Sequence, residues 1–186
     1  ELKQNYSKTI REDREKGYIV QIDKSECFNV ENHREWYLPH HPVVHPHKPG
    51  KVRRVLNGAA KFHRKSLNDA LLAGPDLLQN LIHVLFRFRQ YPNAVSADIE
   101  GMFLQVGVIP KDQPSIRFLW REDPSTEVAV FQYVRHIFGS KDSPTCAKYA
   151  LKRTARDNAE EFPDVARSVE NNFYMDDYLE SSTTVT

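Results

Sequence analysis

Cysteine is nearly missing from this sequence: among 186 residues there are two, Cys27 and Cys146. Two thiols cannot build a disulfide framework, and neither sits in a metal-ligand spacing, so a reducing intracellular compartment is expected. Long hydrophobic runs are missing too. The most apolar stretch, Leu77 to Phe88, is interrupted by Gln79, Asn80, His83 and Arg87 and is too short and polar to cross a bilayer. The first residues are polar and charged and do not read as a secretory signal. Internal repeats and low-complexity tracts are absent. What is present is ordinary for a folded chain. Hydrophobic residues make up 40% and charged residues 27%, with a mean hydropathy of -0.61. That suits one domain, or one and a half, with a real core and a well-hydrated surface.

The net charge of +1 conceals an uneven distribution. Between His33 and Lys65 stand eight cations (Arg34, Lys48, Lys51, Arg53, Arg54, Lys61, Arg64, Lys65), one acid, Glu35, and six of the eight histidines. Of the totals of 26 and 25, the rest of the chain keeps 18 basic and 24 acidic residues. One basic segment in an otherwise acidic chain is the asymmetry expected of a surface that meets phosphates; a solvated hairpin is the plainer alternative. Histidines 40, 41, 45 and 47 could suggest a zinc site, but no cysteine is near and prolines interrupt them, so a surface hairpin that touches phosphate or template is favoured.

Patterning gives a mixture of helices and strands. Tyr6 to Lys16 predicts a helix closed by Gly17, and Tyr18 to Ile22 a short strand. Trp36 to His45 and Lys51 to Leu56 predict a β-hairpin with a basic tip, its prolines marking exposed edges. Apolar residues at 77, 78, 81, 82, 85 and 88 predict a core-facing helix over 76–90. Ala94 to Asp98 reads as a buried strand; Ser115 to Trp120 and Val128 to Tyr133 read as paired strands. Ser143-Pro144 predicts the N-cap and first residue of a helix running to about Glu161. Asn172 to Asp176 and Tyr178 to Ser182 predict a tight hairpin with Asp176-Asp177 at the bend. Strands and helices without regular alternation make the class α+β.

Two predicted strand ends carry acids, Asp98 on one and Asp176-Asp177 on the other. Adjacent aspartates repel, so a fold that holds them together calls for a cation. Oxygen-only ligands favour magnesium or manganese over zinc, and a pair of such ions serves phosphoryl transfer. An Asp-Asp pair alone is weak evidence, since most such pairs are turn residues. A carboxylate-pair hydrolase is disfavoured, because no second acid is arranged as general acid.

The order of the surrounding motifs carries more. Tyr174-Met-Asp-Asp177 resembles the catalytic hairpin of reverse transcriptases, and Asp98-Ile-Glu-Gly-Met-Phe103 their first catalytic strand. Phe138-Gly-Ser-Lys-Asp-Ser-Pro-Thr145 resembles the loop and helix start that position template and nucleotide. Tyr37-Leu-Pro-His-His-Pro-Val43 and Lys51-Val-Arg-Arg-Val-Leu-Asn57, with Ser66-Leu-Asn-Asp69 and Gly74-Pro75, resemble the Pao/BEL class of long-terminal-repeat retrotransposons most closely.

The resemblance implies a right-hand polymerase with fingers over 1–93 and palm over 94–186, returning to fingers around 111–142, and a palm sheet backed by helices. Nine residues follow Asp177, so it also implies a fingers-and-palm fragment with the thumb absent. The implied activity is RNA- or DNA-templated DNA synthesis; the alternative is an incompetent fragment, or a domesticated module that only binds nucleic acid. Asp98, Asp176 and Asp177, with the Ile99 backbone, would hold two Mg2+ ions, with Mn2+ able to substitute. Arg53, Lys51, Lys48, Gly101, Met102, Phe103, Phe138 and Gly139 would meet the deoxynucleoside triphosphate, Phe103 as the gate against a ribose 2′-hydroxyl. Tyr174, Met175, Pro144 and Asn57 would meet template or primer. Implied partners are primed RNA or DNA and the remaining polyprotein domains (thumb, ribonuclease H, integrase, protease), with no membrane. The implied location is a cytoplasmic virus-like particle, with a nuclear stage allowed. Asn57 stands where most relatives carry aspartate, and Arg54 where an apolar residue is usual.

Overall fold

The computed structural model describes residues 1–27, 34–44, 47 and 50–184. The chain divides into two compact units, the first made of 1–72 and 107–143, the second of 73–106 and 144–186.

The first unit opens with α1 (Leu2–Glu15), which ends as expected: Lys16 closes it and Gly17 follows at a φ of 68°. Strand β1 (Ile19–Ile22) pairs antiparallel with β6 (Ala129–Tyr133), and β6 with β5 (Arg117–Trp120), giving a three-stranded sheet ordered β1-β6-β5. Beside it lies the hairpin of β2 (His40–Val44) and β3 (Val52–Leu56), whose register sets Val43 against Arg53. The predicted hairpin is present, and its strands form a sheet of two, so a proline at position 42 interrupts no further ladder. A one-turn helix, α2 (Leu67–Ala70), carries a capping box between Ser66 and Asp69. Ile10, Ile19, Phe118, Phe131, Tyr133 and Ile137 form the core.

Arg54 is part of that core. Strand alternation turns it inward while Arg53 faces water. Its guanidinium donates to Asp13 and to the Tyr133 hydroxyl at 2.6 Å, and lies 4.6 Å from the Phe118 ring centre. An arginine is tolerated where an apolar side chain is usual because α1 supplies a carboxylate and the sheet supplies aromatic faces.

The second unit is built around a sheet ordered β4-β8-β7, from β4 (Asn93–Asp98), β7 (Phe173–Tyr174) and β8 (Asp177–Ser182). Helices α3 (Leu81–Phe88), α4 (Ser143–Asp157) and α5 (Pro163–Asn172) complete it. Ser143 is the first residue of α4, and its hydroxyl donates to the Ile137 carbonyl at 2.8 Å; it binds back onto the preceding loop. Helix α5 had no counterpart among the predicted elements, although Pro163 at its first turn and Ala166 on its buried side are signals of a helix start and face.

Two expectations about burial fail. Helix α3 is shorter than predicted, and its expected core face is open: Leu78, Leu81 and Ile82 are 41%, 40% and 61% exposed, while Val84 is fully buried. The helix is apolar on more sides than one small unit can cover, so periodicity alone picked the wrong side. Strand β4, predicted buried, is exposed from Ala94 to Asp98: pairing with β8 satisfies its backbone along one edge and does not cover its side chains.

Candidate functional site

The acids are positioned by β-ladder register. Asp98 ends β4 directly opposite Asp177, the first residue of β8, which places the two α-carbons about 4.5–5.5 Å apart. The Ile99 amide donates to the Asp176 carbonyl at 3.1 Å, tying the backbone beyond Asp98 to the hairpin turn. The bend therefore falls on Met175-Asp176 and not on Asp176-Asp177: Tyr174 pairs with Asp177, and Met175 adopts a φ of 55°. A positive φ at the first of two turn residues is the place a type II′ turn reserves for glycine. Holding a methionine there costs about 1–2 kcal/mol, strain of the kind that collects at functional turns.

Asp98 and Asp177 are exposed and Asp176 is half-buried. Among the described residues none of the three forms an ion pair, so the opposed charges of Asp98 and Asp177 are uncompensated by protein. The donor set is hard oxygen only, reachable from water and carrying excess negative charge; it fits magnesium or manganese. The three carboxylates are not drawn within 4.8 Å of one another among the described residues, as mutual repulsion of uncompensated acids favours.

The hairpin has a buried support that the sequence reading missed. Lys148 of α4 is 2% exposed, donates from Nζ to the Phe173 carbonyl at 3.2 Å and lies 5.4 Å from the Phe173 ring centre. Burial pulls its ammonium down to about 8, and Lys152 on the next turn adds to the effect. Strand β8 is held on the face it shares with Phe173, whose ring lies 5.1 Å from that of Tyr178. The Tyr178 hydroxyl donates to Glu180 and meets the Ser168 hydroxyl at 2.6 Å, and Asn172 donates to Glu180 at 3.1 Å. Burial and the Glu180 hydrogen bond raise the Tyr178 phenol above its ordinary value. A lysine at a buried helix position was the available signal for this support.

Beyond Asp98 the chain turns sharply. Gly101 has a φ of 57° and opens a short 3-10 helix, Met102–Gln105. The left-handed backbone favours glycine, and Phe103 emerges half-buried two residues later. Pro144 is exposed at the start of α4, and Tyr174 and Met175 are half-buried.

The remaining candidates lie in the first unit. Arg53 and Lys51 are exposed and form no ion pair among the described residues; Lys48 lies outside the described residues. Gly139, at a φ of 100°, sits so close to the end of β3 that a Cβ would come within 2.1 Å of the Leu56 carbonyl oxygen. Asn68 donates to the Gly139 carbonyl at 3.1 Å and accepts from the Lys141 amide at 2.9 Å. The Phe138-Gly139 loop is thereby fixed against the end of β3, next to Asn57. Phe138 is 43% exposed there. Asn57 spends its side-chain oxygen on the Ala59 amide at 3.1 Å, a turn-forming contact. Gly58, which helps make this junction, was not among the residues picked out from the sequence, and Asn68 stood there only as part of the Ser66–Asp69 motif, with no role assigned.

These small antiparallel sheets with flanking helices define a mixed α/β architecture. No protein-family model and no curated protein matches the chain. Among solved structures, a foamy viral protease–reverse transcriptase in complex with double-stranded DNA matches with a TM-score of 0.61 over 98% of this chain, at 18% identity. The fold is reverse-transcriptase-like, and the chain spans 26% of that protein's length.

Proposed function

We propose that the chain is the fingers and palm of a DNA polymerase of the reverse-transcriptase class, resembling the Pao/BEL elements, and that it extends a primer on an RNA or DNA template. The observation that carries the reading is the register of Asp98 against Asp177, with Asp176 at a strained turn joined to the Ile99 amide. Asp98, Asp176 and Asp177, with the Ile99 carbonyl, would hold two magnesium ions, or manganese in their place. Bound there, the ions supply charge neutralisation for the attacking oxygen and the departing pyrophosphate.

The chain's own residues do the rest. The primer 3′-hydroxyl displaces pyrophosphate at the α-phosphate of the incoming deoxynucleotide. Arg53, with Lys51 and Lys48, braces the leaving phosphates through charge-assisted hydrogen bonds. Gly101 and Met102 give the triphosphate a close backbone approach. Phe103 fills the space of a ribose 2′-hydroxyl, and Phe138 and Gly139 flank the nucleotide. Tyr174, Met175, Pro144 and Asn57 face primer and template. The same reading assigns the chain to a retrotransposon polyprotein, with thumb, ribonuclease H, integrase and protease as companions, acting inside cytoplasmic particles. The double-stranded DNA bound by the foamy viral protein is in keeping with a primer–template partner for this one.

A second reading, a module that binds nucleic acid without turnover, is favoured by the basic segment from His33 to Lys65, which suits phosphates whether or not chemistry follows. Primer extension on an RNA template, with magnesium and then manganese, decides between them when run beside Asp176→Asn. Incorporation that disappears in the variant, with its unfolding midpoint unchanged, supports catalysis. Incorporation that survives removes Asp176 from the site, and a folded chain that binds primer–template without extending it leaves the second reading.

A further inference from the structure

The turn from Lys61 to Lys65 is the least explained part of the basic segment. Phe62 and Lys65 form an antiparallel bridge, with Phe62 N to Lys65 O at 2.8 Å and Lys65 N to Phe62 O at 3.0 Å. The two residues between them, His63 and Arg64, have φ values of 46° and 67°. That is the double left-handed turn that Asn-Gly normally makes, built here from two side chains for which it is strained. The strain is imposed by a firm base. Ser66 and Leu67 are buried, the capping box joins Ser66 to Asp69, and Asn68 is bonded to Gly139 and Lys141. The tip is the reverse. All five residues from Lys61 to Lys65 are exposed, Phe62 at 67%, with the His63 ring edge-on to it at 4.3 Å.

Among the described residues, Lys61, Arg64 and Lys65 form no ion pair. Asp69, near Lys61, already accepts from the Ser66 amide at 3.0 Å. The turn therefore presents an aromatic ring in water, stiffly mounted, beside Arg64 and Lys65, which have no ion-pair partner among the described residues, while Lys61 faces the Asp69 carboxylate. A phosphate alone would not need the ring, and an apolar partner would not need the cations. Single-stranded nucleic acid needs both: its bases expose π-faces for stacking and its phosphates meet lysine and arginine. Duplex bases are already stacked and take up a ring only at the cost of unstacking a step.

We infer that the Lys61–Lys65 turn is a docking point for an unpaired nucleic-acid strand, one base stacking on Phe62 while Arg64 and Lys65 hold the flanking phosphates. Nucleic acid as the source of the anion rests on the polymerase reading, in which a single strand must approach before it is paired.

The test is fluorescence anisotropy of the whole chain, without divalent metal, with a labelled 20-nucleotide strand and its duplex. Phe62→Ala is expected to weaken single-strand binding about fivefold or more, the low end for one stacked base, and to leave the duplex unchanged. Phe62→Tyr is expected to restore it. Arg64→Gln with Lys65→Gln is expected to flatten the salt dependence for both. Equal loss for strand and duplex, or no loss from Phe62→Ala, overturns the inference. So does a Phe62-dependent affinity for phosphatidylserine vesicles without one for the oligonucleotide. Thermal unfolding of each variant confirms the fold, as these side chains are exposed. Primer extension with Asp176→Asn judges the carboxylate site independently, so either result can fail without the other.

Discussion

Lys148 places a positive charge where water hardly reaches, 3.2 Å from the carbonyl at the foot of the acidic hairpin. Its folded pKa, about 8, lies below the ordinary 10.5, so the unfolded chain holds that proton more tightly. Stability is then expected to rise as pH climbs from about 8 towards 10.5. Lys148→Met should remove that rise, read as the shift in urea midpoint between pH 7.5 and 10. A midpoint shift unchanged in the variant would mean that other groups produce it. Phe103 offers a second test at this scale. It stands two residues beyond the left-handed Gly101, and on the proposed function Phe103→Ala admits ribonucleotides. Single-nucleotide incorporation with matched ribo- and deoxynucleoside triphosphates measures it, and unchanged discrimination removes the gate.

At the scale of elements, the β2–β3 hairpin is attached to α1 through His40. The Tyr6 hydroxyl meets its Nδ1, and its Nε2 lies 2.9 Å from the Leu119 carbonyl. Burial lowers the His40 pKa below 6.5, and Arg54 and His41 push it the same way. The unfolded chain protonates more readily, so the stability contributed by neutral His40 is present above about pH 6.5 and is lost as pH falls through the lowered value. Unfolding midpoints at pH 7.5 and 5 should separate less in His40→Phe than in the parent chain.

The same scale shows what the sequence could reveal. Elements with their own punctuation were legible: α1 with Gly17 after it, and the hairpin around Gly50. The α3 face was not, because a helix apolar on several sides carries no marker of which side meets the sheet. At the acids, the residue types were legible while the register was not. Nothing local to either motif says that Asp98 faces Asp177, or that Met175 and not Asp177 takes the bend; the ladder between β4 and β8 decides both. The roles of Lys148 and Asn68 escaped because each acts on a backbone carbonyl far away in sequence, 25 and 71 residues off.

For the whole molecule, charge is the property with the longest reach. The segment from His33 to Lys65 concentrates cations that elsewhere are outnumbered by acids. Binding to an oligonucleotide should therefore weaken steeply with salt, and each phosphate contact removed should lower the log–log slope by about 0.7 for a single strand. Arg53→Gln and Lys51→Gln together are expected to reduce it by about 1.4, while Lys8→Gln, on the outer surface of α1, should leave it alone. Equal effects from all three would mean that net charge, and not this surface, governs binding.

The exposed terminal strand of the second unit has a bearing on solubility. From Asn93 to Ala97 β4 carries no charge, and its only ionised side chain is Asp98. An uncharged strand with a free edge invites pairing with another molecule, and a charge at its end is the usual deterrent. Asp98 thus guards the protein against clumping as well as standing in the acidic site. Neutralising it would unguard the edge, so loss of primer extension in Asp98→Asn would not separate a missing ligand from association. Asp176 sits in the turn, off that edge, and its removal carries no such ambiguity.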